Sequence, residues 1–175
     1  MNAYLVISAL GKDRPGIVND LSKAVLHYGG NITDSRMSVL GGEFALILMI
    51  AGTTNAIEDI ERQLPSLGDQ LGMTIIAKRT DQGAKTPGVL PYSLEVVAMD
   101  HPGIVHEVAN FLSGRGINIE SLETATYPAA HTGTPMFSLE MTIGIPASGA
   151  IAQFREAFMN FCDERNLDAV LRPVK

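Results

Sequence analysis

A six-residue phrase occurs twice in this chain of 175 residues, 87 positions apart and with one difference: Asp13-Arg14-Pro15-Gly16-Ile17-Val18 and Asp100-His101-Pro102-Gly103-Ile104-Val105. A second pair shares the offset, Gly30-Asn31-Ile32 with Ile117-Asn118-Ile119. Two motifs at one spacing mark a duplicated unit, and the fold must then be one that fits twice into this length. Between the copies, Thr80 to Pro91 carries Gly83, Lys85, Pro87, Gly88 and Pro91 without any period, as a linker does. The organisation is therefore a first domain at residues 1–79, a linker at 80–91 and a second domain at 92–175.

Each unit reads strand, helix, strand, strand, helix, strand. In the first, Tyr4 to Leu10 is a short apolar strand, and Ile17, Val18, Leu21, Ala24, Val25 and Tyr28 follow helical spacing up to the stop at Gly29-Gly30. Residues 31–40 and 43–51 flank Gly41-Gly42, a hairpin signal. Ile57, Ile60, Leu64, Leu67 and Leu71 mark a second helix, and Met73 to Arg79 a last strand. The second unit matches, with strand 92–99, helix 102–114, strands 117–127 and 136–145, helix 148–164 and strand 167–172. Phe44 answers to Phe137 at an offset of 93, so the second hairpin carries six extra residues. A βαββαβ unit packs two helices on one face of an antiparallel sheet, the ferredoxin-like arrangement. The expected class is thus α+β, two tandem ferredoxin-like domains. Right-handed crossovers place the first and third strands of each unit side by side in the centre.

Composition excludes several functions. Hydrophobic residues make up 46% and charged residues only 18%, which is incompatible with a disordered chain and suggests apolar surface left for an interface. The net charge is −6; up to Arg79 there are 7 basic and 8 acidic residues, and beyond it 6 and 11. Neither part holds a basic stripe of the kind that neutralises phosphates, so DNA is not an expected direct partner. The longest apolar run, Phe44 to Ala51, falls well short of the roughly 20 residues that span a bilayer. Met1-Asn2-Ala3-Tyr4 has neither a basic start nor a cleavage site, and a single cysteine permits no internal disulfide. A cytoplasmic protein is expected.

Catalytic residues are in short supply. Cys162 shares an apolar helical stripe with Phe158, next to Phe161, which suits a buried structural thiol better than a nucleophile. His27, His101, His106 and His131 lack metal-ligand spacing, and His101 and His106 are too far out of phase to share a helix face. No glycine-rich cofactor motif and no nucleophile elbow occurs. The expectations are no catalytic residue, no metal and no cofactor.

The repeated Asp-x-Pro-Gly is the informative feature, and two readings of it stand side by side. In one, Asp caps the following helix, Pro suits its first turn and Gly allows close packing. In the other, unpaired N–H groups and the positive dipole end take a carboxylate, while Asp13 or Asp100 holds an ammonium group. A small zwitterion such as an amino acid carries both charges. Asn31 and Asn118, which start the strand after the helix, would add amide contacts nearby.

A second feature concerns the sheet face away from the helices. In the second unit this face carries Ser93, Glu95, Val97, Ser138, Glu140 and Thr142, a face that can tolerate water. In the first unit the same registers turn out Tyr4, Val6 and Ser8 beside Ala45, Ile47 and Met49. Contiguous apolar patches mark interfaces, so Val6, Ile47 and Met49 are candidate contact residues for a sister unit, a second chain or a regulated partner.

Asp-Arg-Pro-Gly-Ile-Val after a strand, then Gly-Asn-Ile after an amphipathic helix, resembles the ACT regulatory domain, present here twice. The resemblance implies a regulator without an enzyme active site. It implies a protein partner, a transcriptional activator of glycine cleavage genes, held in check by this chain and released by glycine. It also places amino-acid binding on the first strand–helix loop and the start of the second strand. By position these are Asp13, Arg14, Gly16 and Asn31 in the first copy, with Asp100, Gly103 and Asn118 in the second. Many amino-acid-binding members carry Asn where this chain has Asp13 and Asp100. Alternative expectations are an ACT subunit acting on a metabolic enzyme, or a small cofactor-free enzyme with His101, Glu123 and His131 gathered in a cleft. A homo-oligomer is compatible with each of the three.

Overall fold

The computed structural model describes residues 2–83, 88–147, 149 and 151–174. It divides into two compact units, Met1–Ala84 and Lys85–Lys175. The first contains β1 (Asn2–Lys12), α1 (Ile17–His27), β2 (Asn31–Leu40), β3 (Glu43–Thr53), α2 (Thr54–Leu71) and β4 (Met73–Thr80). The second contains β5 (Val89–Met99), α3 (Ile104–Ser113), β6 (Asn118–Pro128), β7 (Pro135–Pro146), α4 (Ile151–Asp163) and β8 (Asp168–Pro173). Each forms one four-stranded sheet, ordered β2-β3-β1-β4 and β6-β7-β5-β8, with all neighbours antiparallel. The first and third strands of each unit lie together in the centre, as the crossover rule requires.

Two boundaries differ from the sequence expectation. Val89, Leu90 and Pro91, expected in the linker, pair with Pro146, Ile145 and Gly144 and begin β5. Thr80 pairs with Tyr4 and closes β4. Both ends of the expected linker are therefore strand, because a proline or polar residue is tolerated where a strand starts or ends. Lys85 and Pro87 lie outside the described residues. The first hairpin turns through Gly41 and Gly42, with φ of 62° and 86°, the two positive angles of a type I′ turn. The second, with its longer loop, is closed by Ala129 N–H donating to the Thr134 carbonyl at 2.8 Å.

Burial follows the alternation of the strands. Leu5, Ile7 and Ala9 of β1 and Phe44, Leu46, Leu48 and Ile50 of β3 face the helices, where Ile17, Leu21, Val25, Ile57, Ile60 and Leu64 complete the core. Gly30 is required by this packing. A Cβ there would stand 2.7 Å from Ile60 Cδ1 and 2.9 Å from Ile50 Cγ2. The second core is aromatic: Phe111 lies 5.4 Å from Phe158 and 4.5 Å from Phe161, ring centre to ring centre, with Phe154 stacked on Phe158. Cys162 is buried within this core. Burial, with a contribution from the Asp163 charge, pushes its thiol up to about 12. A thiol held neutral in this way is no nucleophile.

Candidate ligand-binding loops

The β1–α1 and β5–α3 loops are built alike. Asp13 N–H donates to the Gly42 carbonyl at 3.2 Å, and Asp100 N–H to the Pro135 carbonyl at 2.9 Å, so each loop is tied to the hairpin beside it. The helix does not start where the sequence suggested. The N-caps are Gly16 and Gly103, at φ of 94° and 105°, and no side chain caps either helix. Asp13 and Asp100 stand three residues earlier and are not capping residues, and Pro15 and Pro102 precede the cap instead of opening the first turn. The left-handed angle explains the glycine, since a side chain there would be strained. An uncapped start presents first-turn N–H donors and the positive dipole end to whatever occupies the loop.

The two loops differ in the charges around that start. Arg14 folds back onto α1, with Nη2 donating to Asp20 Oδ2 at 3.1 Å and Nη1 to the Pro15 carbonyl at 3.3 Å. His101 takes its place in the second unit, with Nδ1 3.1 Å from the Pro102 carbonyl. A cavity of about 440 Å³ opens there, lined by His101, Gly103, Ile104, Val105, His106 and Phe137. The helix-phase argument that separated His101 from His106 does not apply, because His101 lies before the N-cap on the loop. His106 joins the lining from α3 and Phe137 from β7, the latter a long-range contact that no local motif marks.

Asn31 and Asn118 do not join these loops within their own units. Asn31 pairs with Ala51, whereas the loop end of the sheet is marked by the pairing of Lys12 with Glu43. Eight strand residues separate Glu43 from Ala51, which at about 3.3 Å each is roughly 26 Å. Asn118, paired with Gly144, is displaced in the same way from Asp100. The helix returns the chain to the far end of the sheet before β2 begins. What does recur beside the asparagines is a bulge, between Ile32 and Asp34 and again between Ile119 and Ser121.

The remaining candidates are scattered. Glu123 lies in one cross-strand row with Glu140 and Glu95 on the sheet face away from the helices, and His131 sits in the β6–β7 loop, so neither meets His101 in its cavity. Among the described residues, no group of three or more His, Cys, Asp or Glu has a metal-holding arrangement. None of the described helices is long and apolar enough to cross a membrane. On the first sheet, Val6 is the register partner of Met49 and Ser8 that of Ile47. Ile47 is 52% exposed and Ile76, across Ser8 on β4, is 66% exposed, while Val6 and Met49 are half-buried.

Two sheets of βαββαβ order with paired glycine N-caps define a tandem ferredoxin-like architecture. Two models of the ACT domain match, over residues 3–78 and 92–158, and the chain belongs to the ACT-domain family. Over 171 residues it is 36% identical to the glycine cleavage system transcriptional repressor of Escherichia coli (strain K12), covering 98% of this chain and 90% of that one. Among solved structures, an uncharacterised protein from Galdieria sulphuraria superposes with a TM-score of 0.83 at 30% identity, covering 100% of both chains. A second, provisionally assigned as a glycine cleavage system transcriptional repressor, gives a TM-score of 0.73 at 28% identity over 100% of this chain and 99% of the other.

Proposed function

We propose that this protein is an amino-acid-responsive regulator, with glycine the first ligand to test, that lowers expression of glycine cleavage genes. It does so in the cytoplasm, by binding a transcriptional activator and not DNA, and it has no catalytic activity of its own. The observation that carries this reading is the similarity to the repressor across 98% of the chain, both units and the connection between them included. The loops supply a physical basis for sensing. Asp13 or Asp100 takes the ammonium group of the ligand, and the uncapped N–H groups after Gly16 or Gly103 take its carboxylate, assisted in the first unit by Arg14. The acidic balance of −6 argues for a protein partner, since a DNA backbone would be repelled.

We further assign the apolar face of the first sheet, with Val6, Ile47 and Met49, to a covering partner or second copy. The deciding experiment is capture of the purified activator on the immobilised protein, with and without millimolar glycine. Retention without glycine and release with it supports the reading. Equal retention in both defeats the sensing claim, and no retention defeats the partner.

A further inference from the structure

The helix layers of the two units differ in a way that points to a docking groove on the first. α1 and α3 align at the offset of 87. α2 and α4 align at 94, which superposes the left-handed Gly72 and Asn166 and, directly after them, the buried Met73 and Leu167. In the second unit the space between the helices holds Phe111 and Phe161. Arg115 lies over the first ring at 3.7 Å and Arg165 over the second at 4.2 Å, and Arg165 pairs with Glu107 at 3.1 Å. The corresponding residues of the first unit are Ala24, Leu67, Tyr28, Leu71 and Asp20. Ala24 and Leu67 stand where the second unit has its two rings, Tyr28 and Leu71 where it has its two guanidinium groups, and the acid is kept. The result is an apolar groove of about 560 Å³ between α1 and α2, against about 380 Å³ in the second unit. Its walls include Ala24, Leu64, Leu67 and Leu71, with Asp20 and the exposed Lys23 at the rim.

We propose that this groove docks a peptide segment of a partner protein that presents an aromatic side chain together with a lysine or arginine. The ring enters over Ala24 and Leu67, where the second unit places its own phenylalanines, and the cation reaches Asp20, the counterpart of Glu107. The match is one of both shape and charge. A volume of several hundred cubic ångströms suits a ring with its flanking backbone, and a partly exposed aromatic–cation pair beside a carboxylate is the arrangement the sister unit already contains. Asp20 is engaged with Arg14, but both side chains are about two-fifths exposed, and such a surface pair exchanges partners at little cost. The inference goes beyond the ligand-sensing loops and does not rest on them.

The test uses the full chain with labelled methyl groups, followed by NMR. The probes are the capped dipeptide acetyl-Phe-Arg-amide and the controls acetyl-Ala-Arg-amide, acetyl-Phe-Glu-amide and phenol. Expected is a saturable millimolar response of the Ala24, Leu64 and Leu67 methyls to Phe-Arg, at least tenfold weaker with Ala-Arg or Phe-Glu. Ala24→Phe, which installs the sister ring, should weaken Phe-Arg binding at least tenfold; Leu67→Phe serves if the first variant fails to fold. Absence of any groove response up to the solubility limit overturns the proposal. So does an equal response to Phe-Glu, which removes the cation, or to phenol, which makes the groove a small-molecule site. Because glycine and the activator take no part, failure here leaves the functional reading standing, and the reverse also holds.

Discussion

Asp13 and Asn31 belong to one βαβ unit yet stand at opposite ends of its sheet, roughly 26 Å apart by strand rise. An amino acid bound at the β1–α1 loop is therefore held by the loop and the helix start, without help from the asparagine of the same unit.

The first prediction follows. Calorimetry with glycine should give a dissociation constant no tighter than about micromolar, since five heavy atoms at about 1.5 kcal/mol each set that ceiling. Asp13→Ala and Asp100→Ala should weaken binding by removing the ammonium partner. Because neither residue caps a helix, each should change stability by less than about 0.5 kcal/mol. Gly16→Ala should instead cost about 1 kcal/mol or more through the left-handed φ of 94°. No heat up to millimolar glycine would end the sensing claim for the isolated protein.

On the first sheet, Ile47→Glu should abolish association with the covering partner or second copy while leaving the melting temperature of the unit unchanged. Ile47 points away from the core, and each apolar side chain buried in such a contact contributes about 1.5–3 kcal/mol. Sedimentation and activator capture read the two possibilities. Unaltered behaviour in both assays would overturn the assignment of this face to a second copy or to the activator.

How much of this was legible beforehand depends on the range of the signal. The strand alternation that buries Leu5, Ile7 and Ala9 and turns out Val6 and Ser8 is local and was readable, as was the repeat. The helix start is not legible, because Asp and Pro are also good cap and first-turn residues; only the backbone angles of Gly16 and Gly103 reveal that the helix begins later. The position of Asn31 is not legible from its nearness to Asp13 in sequence, because the 11-residue helix, about 16 Å long, together with the residues flanking it carries the chain to the opposite end of the sheet. The groove depended on comparing Ala24 with Phe111, which requires knowing that both lie between helices.

Purified protein alone should not retard DNA at physiological salt. Nineteen acidic against thirteen basic residues repel the backbone, and the second unit's outer sheet face carries Glu95, Glu123 and Glu140 in one row. Tight, salt-sensitive retardation without an activator present would contradict this.

Cys162 should resist alkylation at pH 8 in the folded protein and react readily once unfolded. Its thiol is raised from an ordinary 9.0 to about 12, so the native state keeps a proton that the unfolded chain loses. The associated stability is complete below about pH 9 and is lost progressively as pH rises towards 12. Cys162→Ala should flatten that alkaline decline in melting temperature. A decline identical to that of the parent protein would locate its origin elsewhere.

The pairing of Tyr4 with Thr80 sets a schedule for synthesis. The central β1 is among the first parts of the unit to be made, yet its second neighbour, β4, is the last, so the sheet closes only after the whole unit has left the ribosome. The second sheet waits for β8, which ends at Pro173. At roughly 5–20 residues per second, the first unit has about 5–20 s to close before the last strand of the second is made. The order of synthesis thereby separates the closing of the two sheets in time.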